Sequence, residues 1–203
     1  YFEQRGSPSE QTPDSQDRAG VKAEADSAKY SVYVWNYGEV QARANFWKKT
    51  RKLGVNRILL SLNARQINAA AAKPVHLKNF LQHARRNGIS VELLLGDPYW
   101  ILPEERHHLL GIIKKLKHIH FDGLHLDIEP EQLSDAQIDK KTLKEFAETI
   151  RQTVAVSPWP VAVSVHHRYL APESSLGICV LCQFETMGVA EVTVMYYSVN
   201  IAN

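Results

Sequence analysis

The segment 121–130, FDGLHLDIEP, places ionisable side chains at every second position: His125, Asp127 and Glu129. Side chains alternate faces along a strand, so these three share a face with Gly123, while Leu124, Leu126 and Ile128 share the other. The leucine face suits packing against helices. The polar face must then point into a barrel or cleft, where an unpaired charge is expensive. Three such groups in a row are poor core filling, and the C-terminal end of a barrel strand is where reacting groups sit. Residues two apart on a strand have α-carbons roughly 6.5–7 Å apart, so Asp127 and Glu129 influence each other's titration. Glu129, nearer the rim, is expected to hold a proton at neutral pH and act as general acid. Asp127, deeper, is expected to stay ionised with a donor beside it, and His125 is one candidate.

Other strand ends offer supporting groups: Trp35 and Asn36, Asn63 and Arg65, then Asp97, Tyr99 and Trp100. Aromatic rings at a barrel mouth suit sugar faces, because their apolar bodies stack on C–H groups while hydroxyls bond polar neighbours. Asp97 has a competing structural use, capping a following helix or stabilising its Asp-Pro turn. His166 and His167 end another apolar run, and alternation sends only one of them inward. With His125 and Asp127 that histidine supplies the donor types of a metal site, so a metal-dependent hydrolase is the rival reading. His107, His108, His118 and His120 read as surface residues. Cys179 and Cys182 stand three apart in LGICVLCQF. Redox and zinc readings lack the usual context, so they are expected as two small apolar residues on a buried face.

The elements that position these groups recur in order. SVYVWNY (31–37) precedes a helical pattern that stops at Gly54, and RILLSLN (57–63) is the second apolar run. HLKNFLQHARRNG (76–88) is helical and stops at Gly88, SVELLLGD (90–97) follows, and Pro103 suits the first position of the helix PEERHHLLGIIKKLKH. After FDGLHLDIEP come a helix over 141–154, a strand over 161–169 and a strand over 192–200. Apolar runs separated by amphipathic helices predict an α/β fold with parallel strands. Without a Gly-rich phosphate fingerprint, the (β/α)8-type TIM barrel is favoured over a doubly wound sheet, with six β/α units present. The sequence stops just after the sixth strand, so a fragment of a longer barrel is expected.

At 203 residues and 44% hydrophobic, the chain is long enough for one domain with a sizeable core. Its net charge of +2 lacks the basic stripe of a nucleic-acid binder, and no apolar run is long enough to span a bilayer. Residues 1–29, rich in Ser, Gln, Pro, Asp and Glu, read as a disordered linker or tail, leaving the barrel domain at 30–203.

FDGLHLDIEP resembles the fourth-strand signature of family 18 glycoside hydrolases, the chitinase-like enzymes, in which Asp-Gly-x-Asp-x-Asp-x-Glu is matched here by Asp122, Gly123, Asp127 and Glu129. VMYYS (194–198) is similar to the family's Val-Met-x-Tyr-Asp segment at Met195 and Tyr197, with Ser198 in place of Asp. The resemblance implies that Glu129 protonates the glycosidic oxygen. It also implies that Asp127 orients the substrate's acetamido group, which serves as nucleophile, and that Tyr197 bonds near the reacting carbon. His125 replaces the innermost carboxylate, and LLLGDP (93–98) replaces a Ser-x-Gly-Gly signal.

The resulting expectation is a glycoside hydrolase acting on a polysaccharide or amino-sugar glycan without a cofactor. Glu129, Asp127 and Tyr197 are its catalytic residues, and Trp35, Asp97, Trp100, His125, His166 and Met195 bind the carbohydrate. A metal-dependent hydrolase and a non-catalytic glycan-binding barrel are the alternatives. A polymeric substrate and a linker-like N-terminus together suggest a secreted or periplasmic setting.

Overall fold

The computed structural model describes residues 30–42, 45–133, 138–170 and 177–196. The expected linker 1–29 lies outside them, as do Tyr197 and Ser198. Six strands, β1 (Tyr30–Val34), β2 (Val55–Ser61), β3 (Ser90–Leu95), β4 (Gly123–Leu126), β5 (Val161–His166) and β6 (Glu191–Met195), form one sheet in sequence order. Every neighbouring pair is parallel. The sheet curls into a half-barrel with helices between its strands, a partial α/β barrel of the TIM type.

The helices follow the apolar periodicity. α1 (Tyr37–Ala42) and α2 (Phe46–Lys52) lie between β1 and β2, and α3 (Ala64–Ala72) and α4 (Val75–Arg86) between β2 and β3. Gly54 and Gly88, just beyond α2 and α4, hold φ of 71° and 70°, a left-handed turn that lets the chain leave each helix without a Cβ clash. α3 is an addition to the expected layout. Its start is a capping box in which Asn63 Oδ1 accepts from the Gln66 N–H and Gln66 Oε1 accepts from the Asn63 N–H, each at 2.9 Å. α5 (Arg106–Leu116) begins three residues after Pro103, because Pro98–Ile101 forms a separate 3₁₀ turn first. α6 (Lys140–Val156) starts at the N-cap Asp139, whose Oδ1 accepts from the Thr142 N–H at 2.7 Å.

Alternation along the strands divides the interior of the half-barrel from the helix-facing core. Ile58 and Leu60, Val91, Leu93 and Leu95, Leu124 and Leu126, and Val161, Val163 and Val165 all belong to the cluster shared with the helices. The intervening residues line the concave side. There Arg57 of β2 donates to Glu191 of β6 at 2.6 Å and lies 3.5 Å from Glu92 of β3, linking strands far apart in the sheet order. Glu191 raises the Arg57 pKa by its hydrogen bond, while burial opposes this and Glu92 adds to it. The concave floor is therefore charged and internally paired, unlike the apolar layers usual in such barrels.

The last helix, α7 (Val180–Met187), carries a correction. Cys179 and Cys182 are joined by a disulfide, and Cys182 is exposed rather than buried. Residues three apart at a helix start face the same side, which brings these two α-carbons to 5.3 Å, within disulfide reach. Among the described residues no helix is long and apolar enough to cross a membrane.

Candidate active site at the end of the fourth strand

Regular pairing in β4 stops at Leu126, so Asp127–Glu129 form an extended exit from the strand. The Asp127 N–H still donates to the Leu95 carbonyl at 2.9 Å, which keeps this exit against the end of β3. That approach depends on Gly96: a Cβ there would collide with the Asp127 carbonyl oxygen. Glycine is thus required by proximity at this position. Gly123 is constrained in the same way deeper in the barrel, where an added Cβ would stand 2.9 Å from Glu92 Cγ.

His125 is fully buried on the concave face. Its Nε2 lies 2.8 Å from Ser164 Oγ of β5, and its Nδ1 stands 3.6 Å from Glu92 Oε2. His125 Nδ1 and Glu92 Oε2 are both buried without a hydrogen-bond partner among the described residues, so the ring is held through Nε2 and Ser164. Burial raises the Asp127 pKa, while the His125 ring and the Ser164 hydroxyl lower it. Asp127 Oδ1 is buried with no hydrogen-bond partner among the described residues.

Glu129 is half-buried and accepts from Gln132 Nε2 at 2.6 Å through Oε1. Its pKa is raised, first by burial and then by the charges of Asp127 and Glu131. Like charge therefore contributes, as the two-residue spacing predicts, but desolvation is the larger cause. Glu131 is held in turn by the Tyr169 hydroxyl at 2.8 Å. Burial and the Glu131 carboxylate push the Tyr169 pKa upward, which keeps that hydroxyl a donor.

The flanking residues divide. Trp35 is 65% exposed and stacks on Tyr33 with ring centroids 5.5 Å apart; Tyr33 in turn meets the His125 ring edge-on at 6.3 Å. Tyr99 is 58% exposed, whereas Trp100 is only 9% exposed and belongs to the helix-facing core. Asp97 Oδ1 accepts from the Tyr99 N–H at 3.0 Å and caps the turn Pro98–Ile101, the structural use foreseen for it. His166 is two residues beyond Ser164 and so shares its face, and it pairs in register with Met195 on β6. Burial, then neighbouring His167 and Arg168, lower the His166 pKa. His167 lies tilted against His166 with ring centroids 4.2 Å apart and meets Tyr196 at 5.0 Å. Among the described residues, no three His, Cys, Asp or Glu side chains converge as a metal-binding set. His125 Nε2 is bonded to Ser164, while Nδ1 has no hydrogen-bond partner among the described residues.

Ser164, Glu92 and Arg57 were absent from the expected site. The signal was available: each is a polar residue in an otherwise apolar run, at an alternation that faces inward. Asp122, which matches the signature, lies outside the reacting group. It accepts from the Val91 N–H at 2.8 Å and pairs with Arg85 at 3.1 Å, bracing the entry to β4.

No protein-family model matches the chain, and no curated protein matches it by sequence. A solved chitinase from Bacteroides thetaiotaomicron shares the fold, with a TM-score of 0.55 at 14% identity over 85% of this chain. This chain spans 55% of that protein's length. At that identity the likeness is one of architecture, a partial barrel whose strand ends gather at one rim.

Proposed function

We propose that this chain carries the acid-bearing half of a glycoside hydrolase acting on an amino-sugar glycan, with Glu129 as proton donor. The observation that carries the reading is the pair Asp127 and Glu129 at the exit of β4, both with carboxyl pKa values raised by burial. A carboxyl held protonated nearer neutrality is suited to general acid catalysis. The chitinase fold likeness and the fourth-strand resemblance support the same substrate class.

In this reading the Glu129 carboxyl gives its proton to the glycosidic oxygen as the bond to the anomeric carbon breaks. The substrate's acetamido oxygen closes on that carbon, and the Asp127 carboxylate accepts from the acetamido N–H. Water then opens the cyclic ion, with the Glu129 carboxylate taking back a proton. Trp35 and Tyr99 offer exposed ring faces for neighbouring sugars, while Met195 and His166, paired in register on β6 and β5, are assigned to substrate binding. Tyr197 belongs to the same proposal through the resemblance alone.

The test is release of new reducing ends from N-acetylated chito-oligosaccharides by the whole protein, with and without a chelator. Turnover insensitive to chelation is expected. Binding without turnover would favour a glycan-binding barrel, and turnover abolished by chelation would favour the metal-dependent alternative.

A further inference from the structure

The Cys179–Cys182 pair stands at the N-terminus of α7, beside a depression that none of the proposed glycosidase residues lines. We propose that it is a reversible thiol–disulfide exchange site for a dithiol partner. Three observations converge there. Cys179 is the N-cap of α7, and its Sγ accepts from the Cys182 N–H at 3.1 Å, so the helix start is already directed at that sulfur. Cys182 is exposed, giving an incoming thiolate a sulfur to attack. Both cysteines line an open depression of about 800 Å³ whose other wall is Lys140 and Lys144 of α6. The Lys140 stem lies over Gly177, where an added Cβ would be 3.4 Å from Lys140 Cδ and 3.6 Å from Nζ.

This arrangement separates the roles of the two sulfurs. The partner's first thiolate attacks Cys182 Sγ, forming a mixed disulfide as the Cys179–Cys182 bond breaks. Cys179 departs as a thiolate, which the Cys182 N–H, the helix terminus and the two ammonium groups stabilise. A better-stabilised leaving thiolate leaves faster. The partner's second thiol then attacks its own mixed sulfur and releases Cys182, whose thiolate takes up a proton. The partner becomes a disulfide, two electrons pass to the pair, and the pair is left as a Cys182 thiol and a Cys179 thiolate, with the partner's other proton released to solvent.

The fold tolerates the change because α7 is anchored independently of the sulfurs. Val180 and Phe184 are buried, and Phe184 packs edge-on against Phe146 of α6 at 5.7 Å. A disulfide that spans only three residues also closes a short loop, so its loss removes little constraint on the unfolded chain.

The experiment uses the whole protein and dithiothreitol, with thiols trapped by an alkylating reagent and counted by mass, and circular dichroism recorded in parallel. The expected result is two alkyl groups added without denaturant, an unchanged spectrum, and recovery of the disulfide with oxidised dithiothreitol. The double variant Lys140→Gln, Lys144→Gln is expected to be reduced about threefold or more slowly, since both charges stabilise the leaving thiolate. Reduction that requires denaturant, reduction that unfolds the protein, or a rate indifferent to both lysines would each overturn the proposal.

Discussion

His125 of β4 and Ser164 of β5 are joined by a 2.8 Å hydrogen bond inside the half-barrel, and both groups lower the pKa of Asp127. The His125–Ser164 pair forms a line of polar groups beside Asp127 on the concave face. The line rests on the floor of Glu92, Arg57 and Glu191, so the charge network and the proposed site are one continuous structure.

Ser164→Ala tests that line. It leaves a buried ring nitrogen without its partner, costing about 1–3 kcal/mol of stability. It also removes a group that lowers the Asp127 pKa, so the acidic limb of the rate profile should move to higher pH. Ser164→Thr, which keeps the hydroxyl, should restore the limb. Equal profiles for Ala and Thr would separate Ser164 from Asp127.

The close approach of Gly96 to the Asp127 carbonyl makes a second prediction. Gly96→Ala forces backbone apart rather than a flexible side-chain tip, and should destabilise by about 1–3 kcal/mol while lowering activity. Gly111→Ala is the control: nothing lies within 4 Å of its added Cβ, and it sits inside α5. There alanine should stabilise by about 0.8–1 kcal/mol. Denaturant unfolding of both variants gives the comparison, and similar costs at the two positions would contradict it.

Much of this frame was legible in advance. The β4 alternation located His125, Asp127 and Glu129 on one face, and the glycines at 54 and 88 marked where α2 and α4 end. α3 was hidden because its Ala-rich run has weak apolar contrast, although Asn63 and Gln66 spelled out its capping box. The lines from Arg57 to Glu92 and from His125 to Ser164 depend on strand stagger, which no single run of sequence displays. Trp100 and Trp35 have the same side chain, and only the 3₁₀ turn after Asp97 sends the former into the core. Cys179 and Cys182 look apolar by neighbourhood, and their pairing emerges only once a helix start brings them together.

The raised carboxyl pKa values predict how stability varies with pH. Asp127 and Glu129 lie above their ordinary values of 3.8 and 4.5. A carboxyl with a raised folded pKa contributes stability that is complete below its ordinary value and lost as pH rises through the raised one. Asp127→Asn and Glu129→Gln remove that loss, so each should raise Tm at neutral pH, with the gain shrinking below the ordinary pKa. Thermal unfolding across that range checks the sign, and a lower Tm in both variants at neutral pH would contradict it.

The most direct measurement compares wild type and Glu129→Gln on two amino-sugar substrates, an oligosaccharide and a dinitrophenyl glycoside. A general acid contributes roughly 10²–10⁴-fold, and its loss matters most where the leaving group needs a proton. The account predicts a fall in kcat of about 10²-fold or more on the oligosaccharide, a much smaller fall on the dinitrophenyl glycoside, and unchanged glycan binding. Wild-type kcat retained by Glu129→Gln on the oligosaccharide would contradict it.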